Sequence, residues 1–361
     1  MIHLPKRITI KIGSNVLTRD DGTTDITRMS ALVDQIATLI KKGFQIVLIS
    51  SGAVASGRSE LNITQKLDPL SERQMYSAIG QAKLMYRYYE LFRDHGLHCG
   101  QILTTKENFS DRQHYLTQKH CIETMLAHQI TPIVNENDTV SVTELMFTDN
   151  DELSGLMAAM VDADSLFILS NIDGVYDGSP SALGSTLIPE IQSHEDLSSF
   201  IVSTRSSFGR GGMLTKCHFA QQMAEEGIGV IIANGKRENI LLDLIYKNKE
   251  VPHTHFIPAV KGLNPIKRWI AHADDFAKGI VTINQGAKEA LLGDKASSLL
   301  LVGVASIQGD FEKDDIISLE DEEGSSLGVG RSGYSSDEAR LLIGQHNERP
   351  LVHYDYLYVN P

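Results

Sequence analysis

FQIVLIS (residues 44–50) is a short, continuous apolar run that stops at Ser51-Gly52. Such a run is typical of a strand that is buried on both faces of a parallel sheet. Before it, residues 28–42 carry apolar side chains at helical spacing, and Gly43 predicts the end of that helix. Earlier still, RITIKIG (residues 7–13) alternates isoleucine with other residues and predicts a strand. The three segments therefore predict a strand, a helix and a second strand in succession.

The same alternation of strands and helices continues to about residue 235. Further helices are predicted at 72–94, 113–128, 151–161 and 213–226, and further strands at 98–105, 131–138, 165–171 and 229–235. Alternating elements with apolar strands predict the α/β class. We expect a three-layer αβα sandwich with a mostly parallel central sheet.

The pattern changes after residue 250. Residues 251–272 contain three prolines, which indicates a connection that packs against another part of the chain. From about residue 275, short strands and turns dominate, with helices expected at 286–293 and near 335–343, and this predicts a small, mostly β domain. We place the boundaries at 1–262 for the α/β domain, 263–274 for a connection and 275–361 for the β domain.

The composition is that of a globular protein. The chain has 361 residues, of which 42% are hydrophobic and 22% charged, and this length suggests two domains. A net charge of −13 argues against a nucleic-acid backbone or an anionic membrane surface as a general partner. Three widely separated cysteines without a CxxC pair disfavour a disulfide framework and a thiolate zinc site. With no signal-peptide pattern and no apolar run of about 18 residues, we expect a cytoplasmic protein with no membrane contact.

Motifs of several common enzyme classes are missing from the sequence. It contains no Walker A sequence, no GxGxxG that opens a helix, no GxSxG elbow and no HExxH. This argues against a P-loop nucleotidase, a dinucleotide-binding domain, a serine hydrolase and a zinc protease. Any chemistry must therefore come from other polar residues.

Two polar features lie at the ends of the first two predicted strands, where open α/β sheets bind ligands. Lys11 precedes Gly13-Ser14 and can present its ammonium group to a phosphate, and the alternative is a solvated strand lysine. The second feature is the turn of small residues Ser50-Ser51-Gly52-Ala53. It can expose backbone N–H groups to an anion, and the alternative is a tight turn that serves only packing.

Two further polar features lie later in the chain. NEND (135–138) and TDND (148–151) place carboxylates and amides in two loops, which can hold an ammonium group, Mg2+ or a lysine. GRGGM (209–213), followed by Lys216, can let a helix start approach phosphates. The alternatives are solvated turns for the acidic loops and a flexible surface loop for the glycines. Together the four features predict phosphoryl transfer by a nucleotide-dependent kinase that has no P-loop.

A set of longer motifs runs through both domains. In chain order they are KIGSNVL (11–17), SSGAVASGR (50–58), AIGQ (78–81), DRQHYL (111–116), PIVNENDTV (132–140), TDNDELS (148–154), GRGGMLTK (209–216) and KRWI (267–270). On these motifs the chain resembles the glutamate 5-kinases, which are members of the amino-acid kinase family with a C-terminal PUA domain. The resemblance implies an amino-acid kinase domain over 1–262 and a PUA-like domain over 275–361. It also implies ATP-dependent phosphorylation of the L-glutamate γ-carboxylate to γ-glutamyl phosphate, the first step of proline synthesis.

The resemblance implies roles for individual residues. Lys11 and Lys216 would stabilise the transferred phosphoryl group, and Asp151 would organise both lysines. The glutamate site would consist of Ser51, Gly52, Asp138 and Asn150, with Asp138 as partner of the substrate ammonium group. The ATP site would consist of Lys11, Gly13, Ser170, Asn171, Arg210, Gly211, Gly212, Met213, Leu214, Thr215 and Lys216. Mg2+ would be held mainly through the ATP phosphates, with no protein ligand assigned. The attacking carboxylate is already ionised at pH 7, so no general base is required.

Two positions depart from the family pattern. Ser170-Asn171 stands where many members carry Thr-Asp, so a carboxylate is lost from the contacts to the base or ribose. Arg210 stands where threonine is common in the glycine loop. Its guanidinium group either tightens nucleotide binding or points to solvent.

Other functions stay open at the level of sequence. Aspartate or N-acetylglutamate is the alternative substrate, although an N-acetylated amino acid offers no ammonium group to Asp138. An RNA-binding or purely regulatory protein is the alternative class. Residues 275–361 carry 7 Lys and Arg against 15 Asp and Glu, a net charge of −8, which argues against RNA. The resemblance further suggests a homodimer or homotetramer, feedback inhibition by proline, and transfer of the labile product to the next enzyme of the pathway.

Overall fold

The structure, a computed structural model, covers most of the chain. It describes residues 6–61, 67–140, 147, 149–180, 184–195, 213–246, 250–260, 270, 277–293, 297–346 and 348–359. The chain divides into two compact units, of which the first consists of residues 1–108 and 113–262 and the second of residues 109–112 and 263–361. Each unit has a hydrophobic core of its own.

Among the described residues, an eight-stranded sheet forms the framework of the first unit. Its strands are β1 (Arg7–Ile12), β2 (Gln45–Ser50), β3 (His98–Thr104), β4 (Ile130–Glu136), β5 (Ser165–Ser170), β6 (Glu190–Gln192), β7 (Gly229–Asn234) and β8 (His253–Ile257). They lie in the order β3-β4-β2-β1-β5-β7-β8-β6. All pairs from β3 to β7 are parallel, whereas β7 and β8 are antiparallel. The predicted α/β class with a mostly parallel sheet is confirmed.

Helices alternate with these strands. They are α1 (Ser14–Leu17), α2 (Ile26–Lys41), α3 (Ala53–Arg58), α4 (Pro69–Asp94), α5 (Glu107–Ser110), α6 (Arg112–Ala127), α7 (Asn150–Met160), α8 (Met213–Glu225) and α9 (Ile240–Tyr246). The predicted end of α2 is confirmed, since Gly43 follows it with a φ of +92°, a conformation that favours glycine. Helix α4 begins earlier than predicted, because Asp68 caps it and Pro69 fits its first turn. No helix among the described residues combines the length and the apolar composition that a membrane crossing requires.

The strands in the middle of the sheet are buried on both faces. Every residue of β1 after Arg7, and every residue of β2 after Gln45, is buried. Helix α7 is buried as well, from Asp151 through Met160. A carboxylate at the start of an enclosed helix is costly unless partners inside the protein neutralise it. The fold therefore requires cations around Asp151.

The interpretation of residues 251–272 as a connection is wrong for the segment that forms β8. This strand pairs with β7 and extends the sheet past it. Its five residues alternate between buried and partly buried, but Pro252 and Pro258 flank them, and prolines at both ends argue against a strand when only the sequence is considered. Of the predicted connection at 263–274, only Ile270 belongs to the described residues, and its side chain is buried.

The second unit is the small, mostly β domain that the sequence predicts. Its strands are β9 (Gly279–Ile283), β10 (Val304–Gly309), β11 (Ile316–Glu320), β12 (Ser326–Arg331) and β13 (Leu357–Val359), in the order β10-β9-β11-β12-β13. Two helices accompany them, α10 (Gln285–Leu292) and α11 (Ser336–Leu342). Both lie within about one residue of the predicted ranges. Helix α11 starts at a capping box in which Ser335 and Glu338 satisfy each other's backbone N–H groups.

Candidate active site

The carboxyl ends of β1, β2, β4 and β5 lie at one edge of the sheet, because these strands are parallel. The register places Lys11 of β1 beside Ile49 of β2 and Ile168 of β5. The start of α7 lies at this edge too, since Asp151 contacts Lys11. The polar residues that follow these strands in sequence are thus collected in one region of the first unit.

A carboxylate between two lysines forms the centre of this region. Asp151 Oδ1 lies 2.5 Å from Lys11 Nζ, and Asp151 Oδ2 accepts a hydrogen bond from Lys216 Nζ. The Asp151 side chain is fully buried, whereas those of Lys11 and Lys216 are 8% and 15% exposed. The structure therefore brings together the three residues predicted to be catalytic, which come from β1, α7 and the first turn of α8.

The lysines decide the protonation of the carboxylate. Burial alone would raise the pKa of Asp151, but the positive charges of Lys11 and Lys216 outweigh burial and lower it to about 2. Burial alone would lower the pKa of Lys216, but the negative charge of Asp151, the hydrogen bond to it and the charge of Asp149 together outweigh burial and raise this pKa. Asp151 thus holds two ammonium groups at one place, an arrangement that suits a phosphate group.

Asp149 is an acidic neighbour of this cluster for which no role is predicted. Its Oδ1 caps α7 by accepting hydrogen bonds from the backbone N–H groups of Asp151 (2.8 Å) and Glu152 (3.2 Å). Its Oδ2 is buried without a hydrogen-bond partner and lies 3.9 Å from Lys216 Nζ. Burial, followed by the negative charge of Asp151, raises the pKa of Asp149. An unsatisfied buried carboxylate oxygen suits a cation or a hydrogen-bond donor that arrives with a ligand.

A chain of amides connects β2 to the start of α7. Asn150 Nδ2 donates to Ser51 Oγ (2.8 Å) and to Asn135 Oδ1 (3.1 Å). Asn135 Nδ2 donates in turn to Gln81 Oε1 (2.9 Å), and Gln81 Nε2 is buried without a partner. Two predicted glutamate ligands, Ser51 and Asn150, are therefore in direct contact. Asn135 and Gln81 hold them in place, and the NEND and AIGQ motifs are the sequence features that point to these two supporting residues.

Close packing of α3 on α4 places Gln81 in this chain of amides. A Cβ atom on Gly80 would lie 1.7 Å from the carbonyl oxygen of Ala53 and 2.5 Å from the backbone nitrogen of Gly57. Only glycine permits this approach. Gly52, a predicted glutamate ligand, has a φ of +110° at the start of α3, so its conformation also requires glycine.

Asp138, the predicted partner of the substrate ammonium group, is almost fully buried and already has two partners. Arg73 Nε donates to Asp138 Oδ1 (2.6 Å), and Ser77 Oγ donates to Asp138 Oδ2 (2.8 Å). The same guanidinium group reaches Glu136 through Nη2 (2.7 Å). Arg73 and Ser77 belong to α4 and stand in no motif that the sequence singles out.

Two of the predicted nucleotide-binding residues, Gly13 and Ser170, lie at the ends of the neighbouring strands β1 and β5. A Cβ atom on Gly13 would lie 3.5 Å from Lys11 Nζ and 3.1 Å from the carbonyl oxygen of Leu169, so this glycine keeps the space beside the ammonium group open. Ser170 ends β5, and its hydroxyl group donates to Asn171 Oδ1 (3.4 Å).

The other predicted nucleotide ligands belong to the segment before and within the start of α8. Met213, Leu214, Thr215 and Lys216 form the first turn of α8. Arg210, Gly211 and Gly212 lie outside the described residues, as does Thr148 of the TDND motif.

A carboxylate follows β5 two residues after Asn171. Asp173 accepts two hydrogen bonds from Arg237, at 2.9 and 2.7 Å, and one from Asn234 Nδ2 at 3.1 Å. These contacts, above all that of Arg237, lower the pKa of Asp173. Position 171 thus lacks the carboxylate of the family pattern, and Asp173, two residues later, carries a carboxylate that Arg237 and Asn234 hold in place.

A metal cage made only of protein ligands is not found in the part of the chain that the structure describes, where no three His, Cys, Asp or Glu side chains cluster suitably. Asp149 nevertheless has the unsatisfied oxygen noted above. This arrangement suits a Mg2+ ion that is carried by phosphates and takes one carboxylate from the protein.

Comparisons with known proteins agree with the fold. Residues 6–234 match the model of the amino acid kinase family, and residues 279–353 match that of the PUA domain. The chain is 59% identical to a glutamate 5-kinase of Bacteroides thetaiotaomicron, over 98% of each chain. It is 43% identical to a glutamate 5-kinase of Chlorobaculum tepidum, over 99% of this chain and 98% of the relative.

Among solved structures, a similar fold occurs in a carbamate kinase from Giardia lamblia bound to AMP-PNP. The TM-score is 0.51 at 17% identity, over 70% of this chain and 99% of that one. At this identity the likeness concerns the fold alone.

Proposed function

The chain belongs to the amino acid kinase family, and we infer that it phosphorylates the γ-carboxylate of L-glutamate with ATP, the first step of proline biosynthesis. Its curated relatives of that name match it along nearly their whole length. In the reaction, a γ-carboxylate oxygen bonds to the γ-phosphorus of ATP and the bond from that phosphorus to the β-γ bridging oxygen breaks. ADP leaves with the electron pair, and the product is an acyl phosphate. No proton is transferred, because the carboxylate has a usual pKa of about 4.3 and attacks in its ionised form.

The observation that carries the mechanism is the buried Lys11–Asp151–Lys216 cluster. Phosphoryl transfer depends mainly on positioning and on neutralising charge on the transferred group. We propose that Lys11 and Lys216 supply this neutralisation. Asp151 holds both ammonium groups in advance, and its low pKa keeps it ionised at every pH at which the enzyme would work. Because the two ammonium groups are in position before the reaction, no free energy is needed to reorient them as the transition state forms.

Glutamate would bind beside this cluster. Asn150 adjoins Asp151 in sequence, and its amide already contacts Ser51 Oγ. We propose that Ser51, Gly52 and Asn150 contact the substrate, and that Asp138 pairs with the α-ammonium group. An N-acetylated substrate would lose this ion pair, and aspartate would place its carboxylate one methylene short of the lysines.

ATP would lie on the side of Lys11 where Gly13, Ser170 and Asn171 are found, with α8 supplying residues 213–216. Mg2+ bound to the phosphates would screen their charge, and Asp149 would contribute to that ion its Oδ2, which has no hydrogen-bond partner. The sequence assigns Arg210, Gly211 and Gly212 to the same site. A cytoplasmic location, a homo-oligomeric state, proline inhibition and handover to the next enzyme stay predictions.

The second unit would have a structural or regulatory role. Its net charge of −8 over residues 275–361 opposes binding to a phosphate backbone. Lys288, one of its few cations, is paired with Asp321 at 2.7 Å. Both observations weigh against RNA as the ligand.

The test is an end-point assay with MgATP and hydroxylamine, which converts acyl phosphates to hydroxamates. L-Glutamate, L-aspartate and N-acetyl-L-glutamate are run in parallel with a control that lacks an amino acid. We expect hydroxamate from L-glutamate alone. Hydroxamate from one of the other acids but not from L-glutamate would assign a different substrate, and none from any acid would refute the kinase assignment.

A further inference from the structure

We propose that Arg73 is a positioning residue that prepares Asp138 for the α-ammonium group and thereby makes the enzyme select an amino acid over a plain dicarboxylate. The inference rests on the proposed function. Arg73 touches neither the lysines nor Asp151 in any described contact. Its effect would pass through Asp138, so it should appear in the binding of glutamate and not in that of ATP.

The contact geometry supports this role. Arg73 uses two N–H groups along one edge of its planar guanidinium group, Nε toward Asp138 and Nη2 toward Glu136, at 2.6 and 2.7 Å. Because both donors belong to one rigid plane, they fix the orientation of both carboxylates. Ser77 lies one helical turn after Arg73 on α4, and its hydroxyl binds the second oxygen of Asp138 at 2.8 Å. Asp138 is therefore held at both oxygens from a single helix.

The charges explain why the site would demand a cation. The carboxylates of Glu136 and Asp138 are only 2% and 6% exposed, and one guanidinium group contacts both. Asp138 thus shares the positive charge of Arg73 with Glu136. Buried charge is favoured only when it is paired. The α-ammonium group of glutamate would bring a further positive charge to Asp138, which keeps acceptor capacity because each carboxylate oxygen can accept two hydrogen bonds.

The same arrangement would reject glutarate, which is glutamate without its amino group. Glutarate would bring no positive charge to Asp138 and would add its own negative charge nearby. Without Arg73, Glu136 and Asp138 would repel each other, so Asp138 would turn away. The ammonium site would then be lost while the sites for the γ-carboxylate and for ATP would stay intact.

The experiment compares Arg73→Gln, Arg73→Lys and Ser77→Ala with the wild-type full-length enzyme. Arg93→Gln is the matched control, since Arg93 lies near the other end of α4 and contacts the ring of Tyr89. The hydroxamate assay gives kcat, the KM of L-glutamate and the KM of ATP, and glutarate is titrated as a competitive inhibitor against L-glutamate. Thermal unfolding is recorded for each variant.

We expect Arg73→Gln to raise the KM of L-glutamate by about tenfold or more, with the KM of ATP and kcat changed by less than about threefold. The preference for L-glutamate over glutarate should fall by a similar factor. Arg73→Lys keeps the charge but lacks the planar pair of donors, so its KM for L-glutamate should lie between those of the wild type and of Arg73→Gln. Ser77→Ala should raise the same KM by about threefold, the size expected for one hydrogen bond. Arg93→Gln should behave as the wild type.

Two results would overturn the proposal. One is a KM of L-glutamate within about twofold of the wild type in Arg73→Gln. The other is an equal change in the KM values of L-glutamate and ATP together with a lower unfolding temperature, which would indicate a structural role only. If the wild-type enzyme makes no hydroxamate from L-glutamate, the proposed function itself fails, so the two failures are distinguishable.

Discussion

Replacing Asp151 by asparagine tests the centre of the site most directly. The substitution keeps the shape of the side chain and removes one negative charge from between Lys11 and Lys216. Both ammonium groups would then lie almost buried without the carboxylate that compensates them. Stability and catalysis should fall together, for two separate reasons.

The structure gives the size of the stability effect. The two lysines lower the pKa of Asp151 from 3.8 to about 2 in spite of burial, and this corresponds to about 2 kcal/mol of stabilisation at neutral pH. Because the folded-state pKa is the lower one, the contribution is complete above the unfolded pKa near 3.8 and is lost as the pH falls through about 2. Removing one member of a buried ion pair costs about 3–5 kcal/mol. We therefore expect Asp151→Asn to lose about 2–5 kcal/mol of unfolding free energy.

The catalytic effect should be larger than a loss of stability alone would produce. If Asp151 holds both lysines against the transferred phosphoryl group, kcat should fall by about 100-fold or more, the usual result of losing one preorganised group. The assays are urea unfolding at pH 7 and hydroxamate formation under conditions where the variant is folded. Asp162→Asn is the matched control, because Asp162 pairs with Lys119 at 2.7 Å but is 42% exposed. An Asp151→Asn enzyme with kcat within threefold of the wild type, or with the stability of Asp162→Asn, would refute the reasoning.

Three further predictions concern single residues. Lys11→Ala and Lys216→Ala should each lower kcat by about 100-fold or more, since each removes a cation from the transferred group, and near wild-type turnover in a steady-state assay would contradict their assignment. Asp138→Ala should raise the KM of L-glutamate by about tenfold and leave the KM of ATP unchanged, and the reverse pattern in the same assay would place Asp138 in the nucleotide site. Gly80→Ala should lower the thermal midpoint, because its Cβ would lie 1.7 Å from a backbone carbonyl oxygen. Gly286→Ala is the control, since its Cβ would lie 3.6 Å from Asn284 Oδ1, an ordinary contact, and equal midpoints would argue against tight packing of α3 on α4.

Much of the fold could be predicted from local patterns because local interactions decide it. The apolar run of β2, the helical spacing of α2 and the glycine that ends this helix all act within a few residues of each other. The predicted start of α4 at residue 72 lies after the observed start at Pro69, although the signals are local, since a capping aspartate precedes a proline in the first turn. Strand β8 is not predicted from the sequence, because it is only five residues long and lies between two prolines. It is stabilised by pairing with β7, a contact that no local pattern shows.

For the site, the motifs of the sequence name the residue types involved, and Lys11, Asp151 and Lys216 are found together as the family resemblance implies. Lys11 lies near the carboxyl end of a parallel strand, where such sheets bind ligands, and the first turns of α7 and α8 bring Asp151 and Lys216 to it. How the carboxylates are held depends on contacts between distant parts of the chain. Arg73 lies 65 residues before Asp138 and 63 before Glu136, and its contacts with both arise because α4 packs against the end of β4. Contacts at such separations depend on helix position and burial, which no short stretch of sequence contains.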